Sequence, residues 1–123
     1  CQSPRQACAS VNAATARTVP DLFARNERVV CDFDTDDGPL CLVPVGALFV
    51  GSIETVFAGE INPPPARGGK VRAIEAGVGR TFSRGEELAR FNMGSTVIVL
   101  TGEAVAFAPR VEPGEPVRLG QVL

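Results

Sequence analysis

Phe91-Asn92-Met93-Gly94-Ser95-Thr96-Val97-Ile98-Val99-Leu100-Thr101-Gly102 sets the fold class of this chain. Thr96 to Leu100 is almost wholly apolar and β-branched, which suits a pleated, packed surface and predicts a strand buried on both faces. A Gly-Ser-Thr triplet stands at its mouth. After it, Gly102-Glu103 suits a two-residue hairpin turn with Gly first, and Ala104 to Ala108 is expected to return antiparallel.

The rest of the chain reads the same way. Arg28 to Asp34 alternates, with Val29, Cys31 and Phe33 on one face, as in a half-buried strand. Asp36-Asp37-Gly38-Pro39 is a turn signal. Leu40 to Ile53 reads as one bent strand or two short ones, with Gly46 and Gly51 marking bulges or close backbone approaches. Lys70 to Glu75 alternates and is expected to be a strand. Arg84-Gly85-Glu86-Glu87 is polar and turns into the next strand. Asn62 to Gly69, with three consecutive prolines and two glycines, is an internal loop. Val19 to Asn26 suits one short helical turn, with Pro at its start and Asn at its end. The tail from Val111 to Leu123 repeats turn residues between single apolar anchors, a spacing that small barrel-sandwich modules use. The expected fold is therefore mainly β: a barrel-sandwich-like small domain with short helical turns, single over residues 1–123.

Composition narrows the function. The 123 residues carry 12 basic and 14 acidic side chains, seven Phe, and no Trp or Tyr. A net charge of −2 and few stacking rings argue against nucleic acid. The longest uncharged run, Gly38 to Ile53, falls short of the roughly 20 residues of a membrane-spanning helix. No signal peptide opens the chain, which is expected to be soluble or peripheral. Cysteines stand at 1, 8, 31 and 41, with no Cys-x-x-Cys pair and no histidine, so no metal site is expected. Cys31 and Cys41 either face each other across a hairpin or pack as free thiols, and the second reading is preferred.

Ser95 is the candidate nucleophile. A serine hydroxyl is weak until a base takes its proton. The nearest carbonyl is that of Gly94, where the missing Cβ lets the backbone adopt a strained approach. Thr96 offers a hydroxyl beside the developing oxyanion. Phe91 and Met93 either line the approach or pack in the core, packing being preferred. On spacing alone, Gly-Ser-Thr is more often just a turn before a strand. A conventional serine hydrolase fits poorly, because the Gly-x-Ser-x-Gly elbow and any His base are missing. Glu86-Glu87 reads as a solvated turn rather than an acid pair.

At these residues the chain resembles the bacterial phosphatidylserine decarboxylases. Ser10-Val11-Asn12, Thr18-Val19-Pro20 and Leu22 to Val30 resemble the family's central segment. Phe33-Asp34-Thr35 with Gly38-Pro39, Val45-Gly46-Ala47, Val50 to Thr55 and Ala58-Gly59 continue it. Arg84 to Leu88, Phe91 and Gly94 to Ile98 complete the match, which runs from about Ser10 to Leu123. Ala89, Met93 and Ala13 depart from the residues that relatives commonly carry there.

The resemblance implies a pyruvoyl enzyme made as a zymogen. Ser95 attacks the Gly94 carbonyl, and autocatalytic cleavage divides a β-chain part ending at 94 from an α chain of 95–123. Ser95 becomes the pyruvoyl group, whose carbonyl is the electron sink for decarboxylation of phosphatidylserine to phosphatidylethanolamine, a lyase step in phospholipid biosynthesis. No metal is implied. The two chains stay associated after cleavage. The family's base resembles an Asp–His pair supplied from upstream, so this chain is expected to be a C-terminal piece of a longer proenzyme, inactive alone. Its partners are the upstream part of that proenzyme and, through elements this chain lacks, the cytoplasmic face of the bacterial inner membrane, where it would be peripheral.

Two other readings remain open at this stage. One is a non-catalytic biotinyl- or lipoyl-type carrier, for which Lys70 is the available lysine. The other is a pyruvoyl decarboxylase for a soluble amino acid, with the same chemistry at Ser95.

Overall fold

The computed structural model describes residues 13–22, 26–46, 53–61, 71, 73–92, 96–105 and 112–123. Among them are a short helix, α1 (Ala13–Thr18), and six strands: β1 (Cys31–Thr35), β2 (Gly38–Val45), β3 (Ile53–Thr55), β4 (Gly59–Ile61), β5 (Ala89–Phe91) and β6 (Thr96–Thr101). The strands form two three-stranded antiparallel sheets, ordered β1-β2-β6 and β4-β3-β5. Val29 and Cys31 from the first sheet's side and Ile53 and Ile61 from the second share one buried cluster, with Leu42, Leu88 and Phe91 packed against it. The expected mainly β sandwich is what the chain forms.

Alternation builds the first sheet. Val29 and Cys31 are buried and Phe33 is half-buried, while Val30, Asp32 and Asp34 face solvent. β1 joins β2 through a two-residue turn, Asp36-Asp37, with Thr35 opposite Gly38. The turn is shorter than expected, because Gly38 and Pro39 already belong to β2. Gly38 has φ +114°, a conformation that side chains resist. The Thr35 hydroxyl closes the turn by donating to the Gly38 carbonyl at 2.6 Å.

The register settles the cysteine question. Cys31 opposes Leu42 and Cys41 opposes Asp32, so the two thiols point to opposite faces, and both are free. The Cys41 thiol is pushed up to about 11, first by its hydrogen bond to Asp32, then by burial and by the Asp32 charge. Alkylation of Cys41 by iodoacetamide at pH 8 is expected to run about 100-fold slower than for an ordinary thiol, since only the thiolate reacts. Asp32→Asn should restore most of the rate; an equal rate in both proteins would refute the assignment.

The second sheet is centred on β3. Ile53 lies opposite Ile61 on one side and Phe91 on the other. Glu54 sits opposite Arg90, whose guanidinium reaches it at 3.0 Å and Glu87 at 3.6 Å. The predicted polar turn precedes β5: the Glu86 amide donates to the Ser83 carbonyl, and the Ser83 amide donates to the Glu86 carboxylate. Phe82 meets the edges of Phe33 and Phe57 at 6.0 and 6.5 Å between ring centres, tying the sheets at that end.

Several expectations need correction. β6 is not buried on both faces among the described residues; Val97 and Leu100 are 49% and 55% exposed. Of the strand expected over Lys70 to Glu75, the described residues, 71 and 73–75, are in none: Val71 is fully exposed and Glu75–Gly77 is a single 3-10 turn. Among the described residues no strand pairs with 71 or 73–75. The helical turn begins at Leu22 rather than Val19, because Asp21 adopts φ +55° and breaks the chain; the Asn26 amide then donates to the Leu22 carbonyl at 3.1 Å. Helix α1 itself was not anticipated. The turn after β6 is centred on Glu103-Ala104, one residue later than expected, with the Val105 amide on the Gly102 carbonyl. The tail turns form at Glu112–Glu115 and Arg118–Gln121, but Val117 between them and Leu119 within the second are exposed. The Asn62–Gly69 loop, Gly51, Lys70, Cys1, Cys8 and the return over 106–108 lie outside the described residues. No described helix is long and apolar enough to cross a membrane.

Candidate active site

The chain passes from the second sheet to the first between Phe91, the end of β5, and Thr96, the start of β6. Met93, Gly94 and Ser95 fall within that passage and lie outside the described residues. Phe91 is half-buried opposite Ile53, and Thr96 is half-buried opposite Val45.

A cleft of about 180 Å³ opens where the two sheets meet, lined by Leu42 and Pro44 of β2, Leu88 to Phe91, and Val97 of β6. Its lining is apolar except for Arg90, which is engaged with Glu54 and Glu87. Pairing explains how the lining assembles. Val97 stands opposite Pro44, and Val99 opposite Leu42, so these side chains share the inner face. Thr96, in the alternate phase, stands with the fully buried Val45 on the opposite face of the sheet. Of the three expected pocket residues, Phe91 both packs on the core and lines the cleft, Thr96 faces away from it, and Met93 is not described.

Sequence reasoning missed Glu27. Its carbonyl accepts the Gly46 amide at 2.8 Å, Arg28 bridges Val45, and the Val29 amide donates to the Pro44 carbonyl at 3.0 Å. The segment therefore extends the β1 side of the sheet beyond β1 itself. Asn26, itself buried, fastens this corner by donating from Nδ2 to the Gly46 carbonyl at 3.1 Å. The expected close backbone approach at Gly46 is present. By alternation Glu27 shares a phase with Val29 and Cys31, the buried face. One of its carboxyl oxygens, Oε2, is enclosed and has no hydrogen-bond partner among the described residues. The legible signal was a charged residue two positions before Val29, on the apolar phase of the strand pattern.

Burial pushes the Glu27 carboxyl up to about 7, against an opposing pull from the amino-terminal charge. A folded value raised above the unfolded one means stability is fully present below about pH 4.5 and is lost as pH rises to about 7. The full shift would correspond to about 3 kcal/mol, but the rest of the side chain is partly hydrated, which reduces the effect to about 1 kcal/mol. Glu27→Gln is expected to be about 1 kcal/mol more stable than the parent at pH 8 and equal to it at pH 4. Urea unfolding at both pH values tests this, and a variant destabilised at both would refute it.

Among the described residues there is no group of three His, Cys, Asp or Glu side chains placed to hold a metal ion. The family profile of phosphatidylserine decarboxylase matches residues 3–123. The chain is 53% identical over 116 residues to the phosphatidylserine decarboxylase proenzyme of Pseudomonas fluorescens, covering 93% of this chain and 40% of that one. Against the proenzyme of Methylococcus capsulatus it is 51% identical over 113 residues, covering 90% and 38%. Against that of Alkalilimnicola ehrlichii it is 60% identical over 91 residues, covering 74% and 32%. The chain thus spans about two fifths of the length of the first two relatives, 40% and 38%. No solved structure matches it.

Proposed function

This chain belongs to the phosphatidylserine decarboxylase family, and we propose that it carries the self-cleavage bond, Gly94–Ser95, of a pyruvoyl-dependent enzyme acting on phosphatidylserine at a membrane surface. The observation that supports this most directly is the position of the Gly94-Ser95 pair. It falls where the chain crosses between the sheets, bracketed by Phe91 and Val97, which both line the cleft.

The residues divide the work. Ser95 supplies the hydroxyl that adds to the Gly94 carbonyl, and Gly94 leaves the approach open by lacking a Cβ. Phe91, pinned opposite Ile53, and Thr96, pinned opposite Val45, hold the two ends of the crossing. The apolar cleft offers a surface for the glycerol and acyl part of a lipid. The pyruvoyl group that Ser95 would become supplies an electrophilic carbonyl able to accept the electrons left when CO2 departs. The described flanks fit such a group, since Phe91 and Val97 on either side of the pair line an apolar cleft. After cleavage, the 95–123 piece is expected to stay bound, since β6 pairs with β2 over six residues, Thr96 to Thr101 against Val45 to Leu40. The enzyme is proposed to act peripherally at the cytoplasmic face of the bacterial inner membrane, alongside the portion of the relatives this chain does not span.

The test is a chimera in which this chain replaces the matching part of the Pseudomonas fluorescens proenzyme. Intact mass should show two chains parted between Gly94 and Ser95, the smaller lighter by one ammonia than the plain peptide. Phosphatidylserine in mixed micelles should release CO2, whereas free serine should not. Release from free serine alone would favour a decarboxylase of soluble amino acids. A mass increase on Lys70 without cleavage would favour the carrier. The 123-residue chain by itself is expected to remain whole, since it has no histidine to serve as base.

A further inference from the structure

We propose that the outer edge of β6 is a docking edge, completed in the proenzyme by a strand from the portion that this chain does not span. The inference rests on family membership and on the described register, and is independent of the role given to Ser95.

Hydrogen bonds fix which way the edge faces. In an antiparallel ladder the N–H and C=O of one residue point to the same side, and successive residues alternate sides. The Pro44 carbonyl accepts from the Val29 amide at 3.0 Å, and the Gly46 amide donates to the Glu27 carbonyl at 2.8 Å, so both residues face the β1 side. Pro39, in the other phase, accepts from the Gly102 amide at 3.0 Å and faces β6. Cys41, Val43 and Val45 share the phase of Pro39 and stand opposite Leu100, Ile98 and Thr96. Those three residues of β6 therefore bond inward to β2. The backbone groups of Val97, Val99 and Thr101 point outward, and among the described residues no strand lies beyond them.

The side chains agree with the backbone. Val97 on one face of the sheet and Leu100 on the other are 49% and 55% exposed, and one further strand alongside would cover both. A strand edge that stays in water is ordinarily guarded by charge, proline or a bulge. β1, at the opposite end of this sheet, carries exposed Asp32 and Asp34. Thr96 to Thr101 has no charge and no proline, and its pairing with β2 runs without a bulge. Its β-branched composition is that of an interior strand.

The size of the relatives argues for the occupant. The matched part is 40% of the Pseudomonas fluorescens proenzyme, so most of that protein lies outside it. Among the described strands, β3, β4 and β5 have three residues each, and β1 is charged; β6 is the unguarded edge long enough to seat a strand of ordinary length. The incoming segment is extended, apolar on both faces and free of proline where it meets Val97, Val99 and Thr101.

Hydrogen exchange of the chimera, read residue by residue, tests the proposal. The amides of Val97, Val99 and Thr101 are expected to exchange about 100-fold or more slowly than in an unstructured peptide, as the inward-facing Ile98 and Leu100 should. Exchange of those three at the unstructured rate, with Ile98 and Leu100 protected, would overturn it. A photoreactive p-benzoylphenylalanine in place of Leu100 identifies the neighbour, and crosslinks into the Pseudomonas portion are expected. Crosslinks to residues 104–111 would show that this chain covers its own edge, and a crosslinked pair of chimeras would show a second copy; either result overturns the proposal. Intact mass of the same samples reads cleavage separately. A chimera with a protected, correctly crosslinked edge that stayed whole would remove the Ser95 reading and leave this one standing.

Discussion

Replacing Ser95 by alanine is expected to leave the chimeric proenzyme wholly uncut, with no decarboxylation above background. The expected effect is a complete loss, because the substitution removes the attacking oxygen rather than weakening a contact. It also removes the atoms from which the electrophilic carbonyl would be made, so maturation and catalysis should fail together. Ser95→Cys provides the informative contrast. A thiol in the same place can add to the Gly94 carbonyl, so slow cleavage is expected, without recovery of full decarboxylation. Stability should be unchanged in both, since the strand that follows is held by its pairing from Thr96 to Thr101 with β2. Two measurements separate the possibilities: intact mass for cleavage, and CO2 release from phosphatidylserine. A Ser95→Ala protein that still split at Gly94 would show that the nucleophile lies elsewhere.

The sequence made β1 legible because its pattern is local. Val29, Cys31 and Phe33 alternate with charged or exposed neighbours, and a strand with one covered face needs nothing more. The position of β6 was equally plain, but its exposure was not. A β-branched run records which residues tolerate burial on both sides, while actual burial depends on what lies across from them. β6 stands at the end of its sheet in the described residues, so Val97 and Leu100 keep much of their exposure. The described part of Lys70 to Glu75, residues 71 and 73–75, forms no strand for a related reason: alternation is necessary for a strand but supplies no partner. The corner that brings Glu27 beside Gly46 is a contact between residues nineteen positions apart in sequence. No local pattern encodes such a pairing. What could be read was the anomaly itself, an ionisable side chain on the buried phase. In the candidate site, the Gly94-Ser95 pair was visible as a motif, while the cleft was not, since it arises only when β2, β5 and β6 converge.

Ile53→Ala is expected to cost about 2–5 kcal/mol of stability, a large share of the roughly 5–15 kcal/mol that holds a domain of this kind together. Ile53 is 0% exposed at the centre of β3 and touches both sheets' core through the shared cluster. Truncation removes the transfer energy of three carbons and leaves a void that the short strands on either side can fill only partly. Ile53→Val, by contrast, should cost about 1 kcal/mol, since it deletes one methylene and keeps the β-branched shape. The effect should also reach the site. Ile53 lies opposite Phe91, and Phe91 lines the cleft at the start of the crossing that carries Gly94–Ser95. A loosened Phe91 would give the crossing more conformations, and only some of them bring Ser95 to the Gly94 carbonyl; misplacement of about 1 Å can cost 100-fold. Ile53→Ala should therefore slow cleavage of the chimera even at temperatures where it remains folded, while Ile53→Val should cleave nearly as fast as the parent. Urea midpoints and cleavage rates measured together at low temperature test both halves. An unchanged midpoint would place Ile53 outside the core, and a lowered midpoint with an unchanged cleavage rate would mean that the Phe91 end of the crossing does not govern the reaction.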